Sequence, residues 1–210
     1  MAKPVVGILM GSDSDLPIMQ EAASMLQEFG VEYEMTIASA HRTPKKVLEY
    51  CTGAEKRGIR VIIAGAGWAA HLAGVVASHT TLPVIGVPID SSPLNGLDAI
   101  LATVQMPGGV PVATMSLGKA GAKNAGIFAA QIIAAGDVKI ANRLKVYRVE
   151  MERDVEEKSK RLVMITAAPA AAEPVAAEAV EAATPAKKKT RRRRWKKKPG
   201  GAAPAQEPAS

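Results

Sequence analysis

Three short segments of this 210-residue chain combine small residues with side chains that can bind anions or move protons. They are residues 11–15 (GSDSD), 39–44 (SAHRTP) and 65–74 (GAGWAAHLAG), called here the first, second and third loops. A histidine can give and take a proton near neutral pH, an arginine fork can bind phosphate, and glycine lets the backbone approach a ligand. The three loops therefore predict a site where an anionic small molecule binds and a proton is transferred.

The second loop carries the clearest chemical signal, because it places His41, a proton carrier, beside Arg42, a phosphate anchor. The alternative is an exposed pair without function, followed by Thr43 and Pro44 as the cap and first residue of a helix. If the chain is an enzyme, its chemistry rests on one titrating histidine in a preorganised pocket.

The first and third loops also have ordinary structural explanations. Ser and Asp residues before Pro17 suit the N-cap of a helix, although free N–H groups at a helix start equally suit a phosphate. In the third loop, Gly67 can supply a positive φ to a tight turn, and we favour a core or capping role for His71 over catalysis. Residues 91–96 and 105–109 form either walls of the site or subunit contacts.

The sequence argues against several common kinds of site. The GxGxxG and GxxxxGK[ST] fingerprints of dinucleotide and triphosphate sites are absent. The single cysteine, Cys51, cannot form an internal disulfide, and no group of Cys and His has metal-ligand spacing. A flavin site is disfavoured because the first two loops contain no Phe, Tyr or Trp to stack on the flavin ring.

The hydrophobic pattern supplies a frame that brings the three loops together. Short, mostly continuous apolar runs, typical of strands buried on both faces, alternate with segments of helical periodicity. This alternation predicts an α/β fold with a parallel sheet of about five strands and with the loops at the carboxyl ends of the strands. The predicted strands are residues 5–10, 33–38, 61–64, 84–87 and 110–115, and the predicted helices are 15–29, 44–57, 69–79, 94–104, 119–136 and 137–162.

Positive charge is concentrated at the C-terminal end. Residues 166–210 hold 10 of the 27 basic but only 4 of the 20 acidic side chains, with all the basic ones lying from Lys187 to Lys198. This composition predicts a disordered tail after a catalytic α/β domain of residues 1–165. The tail is either simply solvated or makes weak, salt-sensitive contact with nucleic acid or another anionic surface.

The N-terminal end predicts neither secretion nor membrane insertion. The apolar run at residues 5–10 is too short for a signal peptide or a bilayer span, so we expect a soluble, cytoplasmic protein.

Six motifs in order resemble one known family. They are GSDSD (11–15), SAHRTP (39–44), GAG (65–67), AAHL (69–72), VQMPG (104–108) and GKAGA (118–122). Over about residues 4–160 the chain resembles the 5-(carboxyamino)imidazole ribonucleotide mutases, which are the class I phosphoribosylaminoimidazole carboxylase catalytic subunits. The resemblance implies a flavodoxin-like three-layer sandwich, a homo-octamer joined partly by the C-terminal helix, and a reaction without metal or other cofactor.

The implied reaction is an isomerisation in purine biosynthesis that moves a carboxylate from the exocyclic nitrogen of aminoimidazole ribonucleotide to ring carbon C4. It proceeds by decarboxylation and recarboxylation, and the resemblance makes His41 the general acid and base. Ser12 and Arg42 would hold the 5′-phosphate, and Asp15 a ribose hydroxyl. Residues 65–72 of the third loop would cover the imidazole and confine carbon dioxide. The remaining implied substrate-binding residues are Gly11, Ser39, Gly67, His71 and Leu72.

Two positions in the third loop depart from the family pattern, which generally reads GAGGAAHLPG. This chain has Trp68 where the family has the second of two adjacent glycines, and it has Ala73 where the family has proline. A related carboxylase class, which uses free carbon dioxide, typically has Lys in place of Arg42, so the mutase is favoured. The carboxylase, and a module that binds nucleic acid through its basic tail, remain the alternatives.

Overall fold

A computed structural model describes residues 3–166 of the chain. The predicted tail lies outside the described residues apart from its first position, Thr166, so its predicted disorder and its domain boundary stay predictions.

The central layer is a sheet of five parallel strands in the order β2-β1-β3-β4-β5. The strands are β1 (Val6–Met10), β2 (Tyr33–Ile37), β3 (Val61–Gly67), β4 (Val84–Ile89) and β5 (Ala113–Thr114). All five residues of β1 and all six of β4 are buried, as continuous apolar runs predict. The predicted α/β class and the strand number are confirmed.

Six helices cover the two faces of the sheet. They are α1 (Leu16–Glu28), α2 (Pro44–Arg57), α3 (Leu72–Ser78), α4 (Leu97–Val104), α5 (Gly118–Ala134) and α6 (Val138–Thr166). Apolar residues of α1, α5 and the start of α6 pack on one face, and those of α2 and α3 pack on the other. On that second face α4 joins α3, because a Cβ at Gly86 would contact both Thr103 of α4 and Ala73 of α3. These layers confirm the predicted three-layer sandwich.

The strands at the two edges of the sheet differ from the prediction. The fifth strand is predicted over residues 110–115 but contains only Ala113 and Thr114. Pro111 has no N–H to donate to a neighbouring strand, so regular pairing with β4 begins only after it. The prediction of complete burial is also wrong for β2, which lies at the opposite edge and is only partly buried.

Three helices have an end that lies three or more residues from the predicted one. Helix α3 begins at Leu72 rather than at residue 69, and the chain before it turns at Trp68, which takes a positive φ of 53°. Helix α4 begins at Leu97 rather than 94, because the backbone at Asn95 and Gly96 is left-handed. Helix α6 continues to Thr166.

The first half of α6 packs on the body of the domain. Ile140 is buried, and the rings of Tyr147 and Phe29 meet edge to face with centroids 5.3 Å apart. Arg143 also donates a hydrogen bond to the Phe29 carbonyl at 2.6 Å. Between residues 148 and 163 every side chain of α6 is exposed. Within residues 3–166, no helix combines the length and the apolar character that a bilayer span requires.

Candidate active site

A cavity of about 420 Å³ lies at the carboxyl ends of the central strands. Its position agrees with the rule that ligands of parallel sheets bind beyond the strand ends, where loops and helix starts converge. The loops after β1, β2, β3 and β4 all contribute to its wall. The lining residues are Gly11, Ser12, Ser14, Asp15, Ser39, Ala40, His41, Ala66, Gly67, Trp68, Ala69, Leu72 and Ser91.

The first loop is fixed by reciprocal hydrogen bonds. Ser12 caps a short 3₁₀ turn formed by Asp13–Asp15, where its Oγ accepts from the N–H of Ser14 at 3.4 Å. In return, the Asp15 carboxylate accepts from the N–H of Ser12 at 3.0 Å. This arrangement is a capping box, and it holds the loop in one conformation before α1 begins. Ser12 therefore caps this turn but not α1, where Asp15 occupies the N-cap position and makes no capping hydrogen bond through its side chain.

The Asp15 carboxylate is an unusual feature of this wall because only 5% of the residue is exposed. Loss of hydration raises the pKa of Asp15 above its ordinary value of 3.8. Hydrogen bonds from the Ser12 and Gly11 backbones and the positive charge of Arg42 act in the opposite direction. Asp15 is therefore a confined acceptor, suited to a hydroxyl donor rather than to a second anion.

The second loop is tied to the first through Arg42. Its guanidinium donates to the Gly11 carbonyl at 2.6 Å and to Ser39 Oγ at 3.4 Å. Thr43 occupies the N-cap position of α2 and Pro44 begins the helix, as predicted, but the Thr43 side chain makes no capping hydrogen bond to it. Its hydroxyl instead accepts from the Ser39 N–H at 2.9 Å and closes the second loop on itself. Arg42 and Thr43 are thus both bonded to Ser39. These bonds fix the short segment that carries His41.

His41 and His71 form a pair across the mouth of the cavity. The Nε2 atom of His41 lies 2.9 Å from Nδ1 of His71, and the rings meet edge to face with centroids 5.0 Å apart. Both residues are exposed. One of the two nitrogens must carry the hydrogen and the other must accept it, so the contact is compatible with one shared proton but not with two. The interpretation of His71 as a core residue is wrong, because it is exposed. It occupies the N-cap position of α3, but its side chain makes no capping hydrogen bond.

The third loop brings backbone close to the cavity at Gly67 and then turns sharply. A Cβ at Gly67 would overlap the Ser91 hydroxyl and lie 3.0 Å from the Ile89 carbonyl oxygen. Gly67 is therefore required by space and not, as the sequence suggests, by a positive φ. The left-handed residue is Trp68, which is 58% exposed. A bulky residue in this region costs on the order of 1 kcal/mol.

The structure gathers the predicted residues around the cavity in two groups. Those in its wall are Gly11, Ser12, Asp15, Ser39, His41, Gly67 and Leu72. Arg42 and His71 are not among the lining residues but contact three of them, Gly11, Ser39 and His41. Ser91 and Trp68 are wall residues that are not among the predicted substrate-binding residues, although Trp68 lies in the third loop. The Ser91 loop is predicted only as a wall or a subunit contact. In residues 3–166, no three His, Cys, Asp or Glu side chains are grouped as metal ligands would be.

The pattern of this chain matches a known family over most of its length. The model of the AIR carboxylase family matches residues 5–154. The chain belongs to this family. Over 162 residues it is 60% identical to the N5-carboxyaminoimidazole ribonucleotide mutase of Thermotoga maritima, covering 77% of this chain and 94% of that protein. The mutase of Bacillus subtilis is 56% identical over 161 residues, which is 77% of this chain and 99% of the relative.

Solved structures of the family support the same conclusion. The crystal structure of Treponema denticola PurE superposes with a TM-score of 0.69 at 32% identity, covering 76% of this chain and 99% of that chain. A second crystal structure, of a variant of Treponema denticola PurE2, gives a TM-score of 0.68 at 31% identity, covering 77% and 99%. This AIR carboxylase family member therefore shares both sequence and fold with its relatives.

Proposed function

We propose that this chain moves a carboxylate from the exocyclic nitrogen to C4 of aminoimidazole ribonucleotide, with His41 as the proton carrier. Relatives that are 56% and 60% identical over nearly their whole length are named for this mutase, and the chain is an isomerase of purine biosynthesis of the same kind. The observation that carries the role of His41 is its place in the cavity wall, the one histidine among the lining residues.

The proton balance of the reaction suits one histidine. As the bond between nitrogen and the carboxylate breaks, protonated His41 gives its proton to the nitrogen, and carbon dioxide is released inside the cavity. C4 then attacks the carbon dioxide, and the C4 proton passes to His41, which restores the starting state. A single group must act first as acid and then as base, and a histidine side chain does this near neutral pH.

His71 supports this cycle as a positioning residue. Its Nδ1 lies within hydrogen-bond distance of His41 Nε2, so it can fix the orientation of the His41 ring.

We assign the remaining wall, together with Arg42 next to it, to substrate binding. Ser12 and Arg42, at the first and second loops, would contact the 5′-phosphate, and buried Asp15 would accept from a ribose hydroxyl. Gly11, Ser39, Gly67 and Leu72 would shape the wall, because small or apolar residues there allow close approach. A closed, apolar cover over the imidazole would retain carbon dioxide between the two steps.

The function is tested by supplying two substrates separately. N5-carboxyaminoimidazole ribonucleotide should convert to the C4-carboxylate without ATP or metal, at a rate that does not depend on added bicarbonate. Aminoimidazole ribonucleotide with bicarbonate should react much more slowly. Conversion of the second substrate alone would select the carboxylase that uses free carbon dioxide, and conversion of neither would overturn the proposal.

We also propose that the chain assembles as a homo-octamer. Exposed apolar side chains recur along α4 and just before it, at Leu94, Leu97, Leu101 and Val104, where self-association would bury them. Light scattering of the full chain should give eight times the monomer mass, and a monomer at micromolar concentration would contradict the proposal.

We propose that the basic segment from Lys187 to Lys198 makes weak contact with nucleic acid or an anionic surface. We also propose that residues 1–165 form the catalytic domain. Binding to single-stranded DNA should fall steeply with salt and disappear in a chain that ends at Thr166, whereas mutase activity should persist. Equal DNA binding by both chains would exclude the tail contact.

A cytoplasmic location, too, stays a prediction.

A further inference from the structure

Trp68 combines two properties that are unfavourable in the chain by itself. Its backbone has a φ of 53°, a region that bulky residues seldom occupy. The residue is 58% exposed, so residues 3–166 leave more than half of its surface uncovered. Neither the backbone nor the packing therefore explains a tryptophan at this position. Side chains held in such conformations are concentrated where a ligand is bound.

The surroundings of Trp68 point to the cavity. It lines the same cavity as His41, and so do the residues on either side of it, Gly67 and Ala69. Most of the other lining residues are glycine, alanine or serine, which offer little apolar surface to a ligand. Trp68 is the largest flat apolar group in the wall.

We propose that Trp68 is a substrate-contacting residue whose indole covers the flat heterocycle of the ribonucleotide. The inference rests on the proposed function, because it takes the ligand to be an aminoimidazole ribonucleotide. Offset stacking between two flat rings buries apolar area on both, and the contact forms only when the ligand is present. Trp68 would thus supply specificity for the ring, while the polar residues of the first and second loops bind the ribose phosphate.

The first experiment uses the fluorescence of Trp68. The chain has two tryptophans, so replacing the other one, Trp195→Phe, in the full-length protein isolates the Trp68 signal. Titration with aminoimidazole ribonucleotide, without bicarbonate, should shift or quench the emission saturably. Ribose 5-phosphate, which lacks the heterocycle, is the matched ligand and should leave the emission unchanged.

Two results of the titration would overturn the inference. If both ligands change the emission equally, or if neither changes it, the indole does not contact the heterocycle. If the emission changes with protein concentration but not with ligand, a second copy of the chain covers Trp68 instead.

The second experiment compares Trp68→Gly with Trp68→Phe. Loss of the stacking contact should raise the KM of the glycine variant about ten-fold, whereas the phenylalanine variant should stay near the wild type. Glycine also tolerates the positive φ, so the urea midpoint of Trp68→Gly should not fall, which separates lost binding from lost folding.

The outcomes distinguish the two proposals. An unchanged KM in Trp68→Gly, in a protein that still converts the N-carboxylated substrate, would overturn the inference and leave the proposed function intact. A wild-type protein that converts no substrate would instead overturn the proposed function.

Discussion

The two sides of the cavity differ in where their polar groups find partners. On the Asp15 side, formed by residues 11–15, the serine, the aspartate and the backbone satisfy one another through a capping box. On the histidine side, formed by His41 and residues 68–71, the two imidazoles are exposed and bond to each other. One side is held by its own hydrogen bonds, and the other keeps reactive groups available.

This difference separates stability from chemistry. Removing a partner within a closed hydrogen-bonded loop leaves another group unsatisfied, which lowers the free energy of unfolding. Removing an exposed side chain costs the fold little, although it can abolish a reaction. Substitutions on the two sides should therefore move different measurements.

The largest effect is expected for His41→Asn. Without the proton carrier, the rate of conversion should fall by about 10² to 10⁴-fold, the usual contribution of general acid and base catalysis. The free energy of unfolding should change by less than about 0.5 kcal/mol because the side chain is exposed. Steady-state kinetics and urea unfolding measure the two quantities.

His79→Asn is the matched control for that variant. His79 is exposed at the end of α3 and is not among the residues of the cavity wall, so both quantities should stay at the wild-type value. Equal loss of activity in the two variants would remove His41 from its assigned role.

Gly67→Ala should have the next largest effect, and it should change both the stability and the activity of the protein. The new methyl group overlaps the Ser91 hydroxyl, so Ser91 must move within the cavity wall. We expect a loss of about 1 to 3 kcal/mol in the free energy of unfolding, together with a higher KM. Gly108→Ala is the control, since no atom lies within 4 Å of its added Cβ. If Gly67→Ala behaves like Gly108→Ala, close approach at Gly67 is not needed.

A smaller effect is expected for Ser12→Ala on the Asp15 side. Loss of the cap should reduce the free energy of unfolding by about 1 kcal/mol. Ser24→Ala, on the exposed face of α1, should change it by less than about 0.5 kcal/mol. Urea unfolding of the two variants checks this, and a neutral Ser12→Ala would show that the capping box does not hold the loop.

The sequence predicts the layers of the fold because they depend on local pattern. Continuous apolar runs identify buried parallel strands, and the structure contains the five that are expected. The errors lie where a single residue overrides the pattern. Pro111 shortens β5, and left-handed Asn95 and Gly96 delay α4. Such interruptions depend on individual backbone angles and not on average hydrophobicity.

The sequence identifies the site loops but not the contacts between them. The two histidines are 30 residues apart and follow β2 and β3, which are separated by β1 in the sheet. Their 2.9 Å contact depends on how far two loops reach across that strand, and residue spacing does not encode this reach. The left-handed backbone at Trp68 escapes prediction for a related reason, because a neighbouring glycine is the better intrinsic candidate.

The most subtle prediction concerns the pH dependence of Asp15. Because burial raises its pKa, the folded state holds the carboxyl proton more tightly than the unfolded state does. The folded protein therefore loses stability as the pH rises from the ordinary value of 3.8 through the raised pKa of Asp15. Asparagine cannot ionise, so the stability of Asp15→Asn should rise relative to that of the wild type as the pH rises. Urea midpoints of both proteins, measured between about pH 4 and 7, check this.

Asp13→Asn supplies a control of opposite sign. A hydrogen bond from the Ser12 side chain, with further help from the backbone, lowers the pKa of exposed Asp13. That carboxylate stabilises the fold above its ordinary pKa of 3.8, and the contribution is lost as the pH falls through the lowered pKa. Relative to the wild type, Asp13→Asn should therefore lose stability as the pH rises toward 3.8 and stay level above that value, where Asp15→Asn gains stability. Parallel slopes for the two variants would mean that burial does not distinguish these neighbouring carboxylates, and the Asp15 side would then be no more closed than the histidine side.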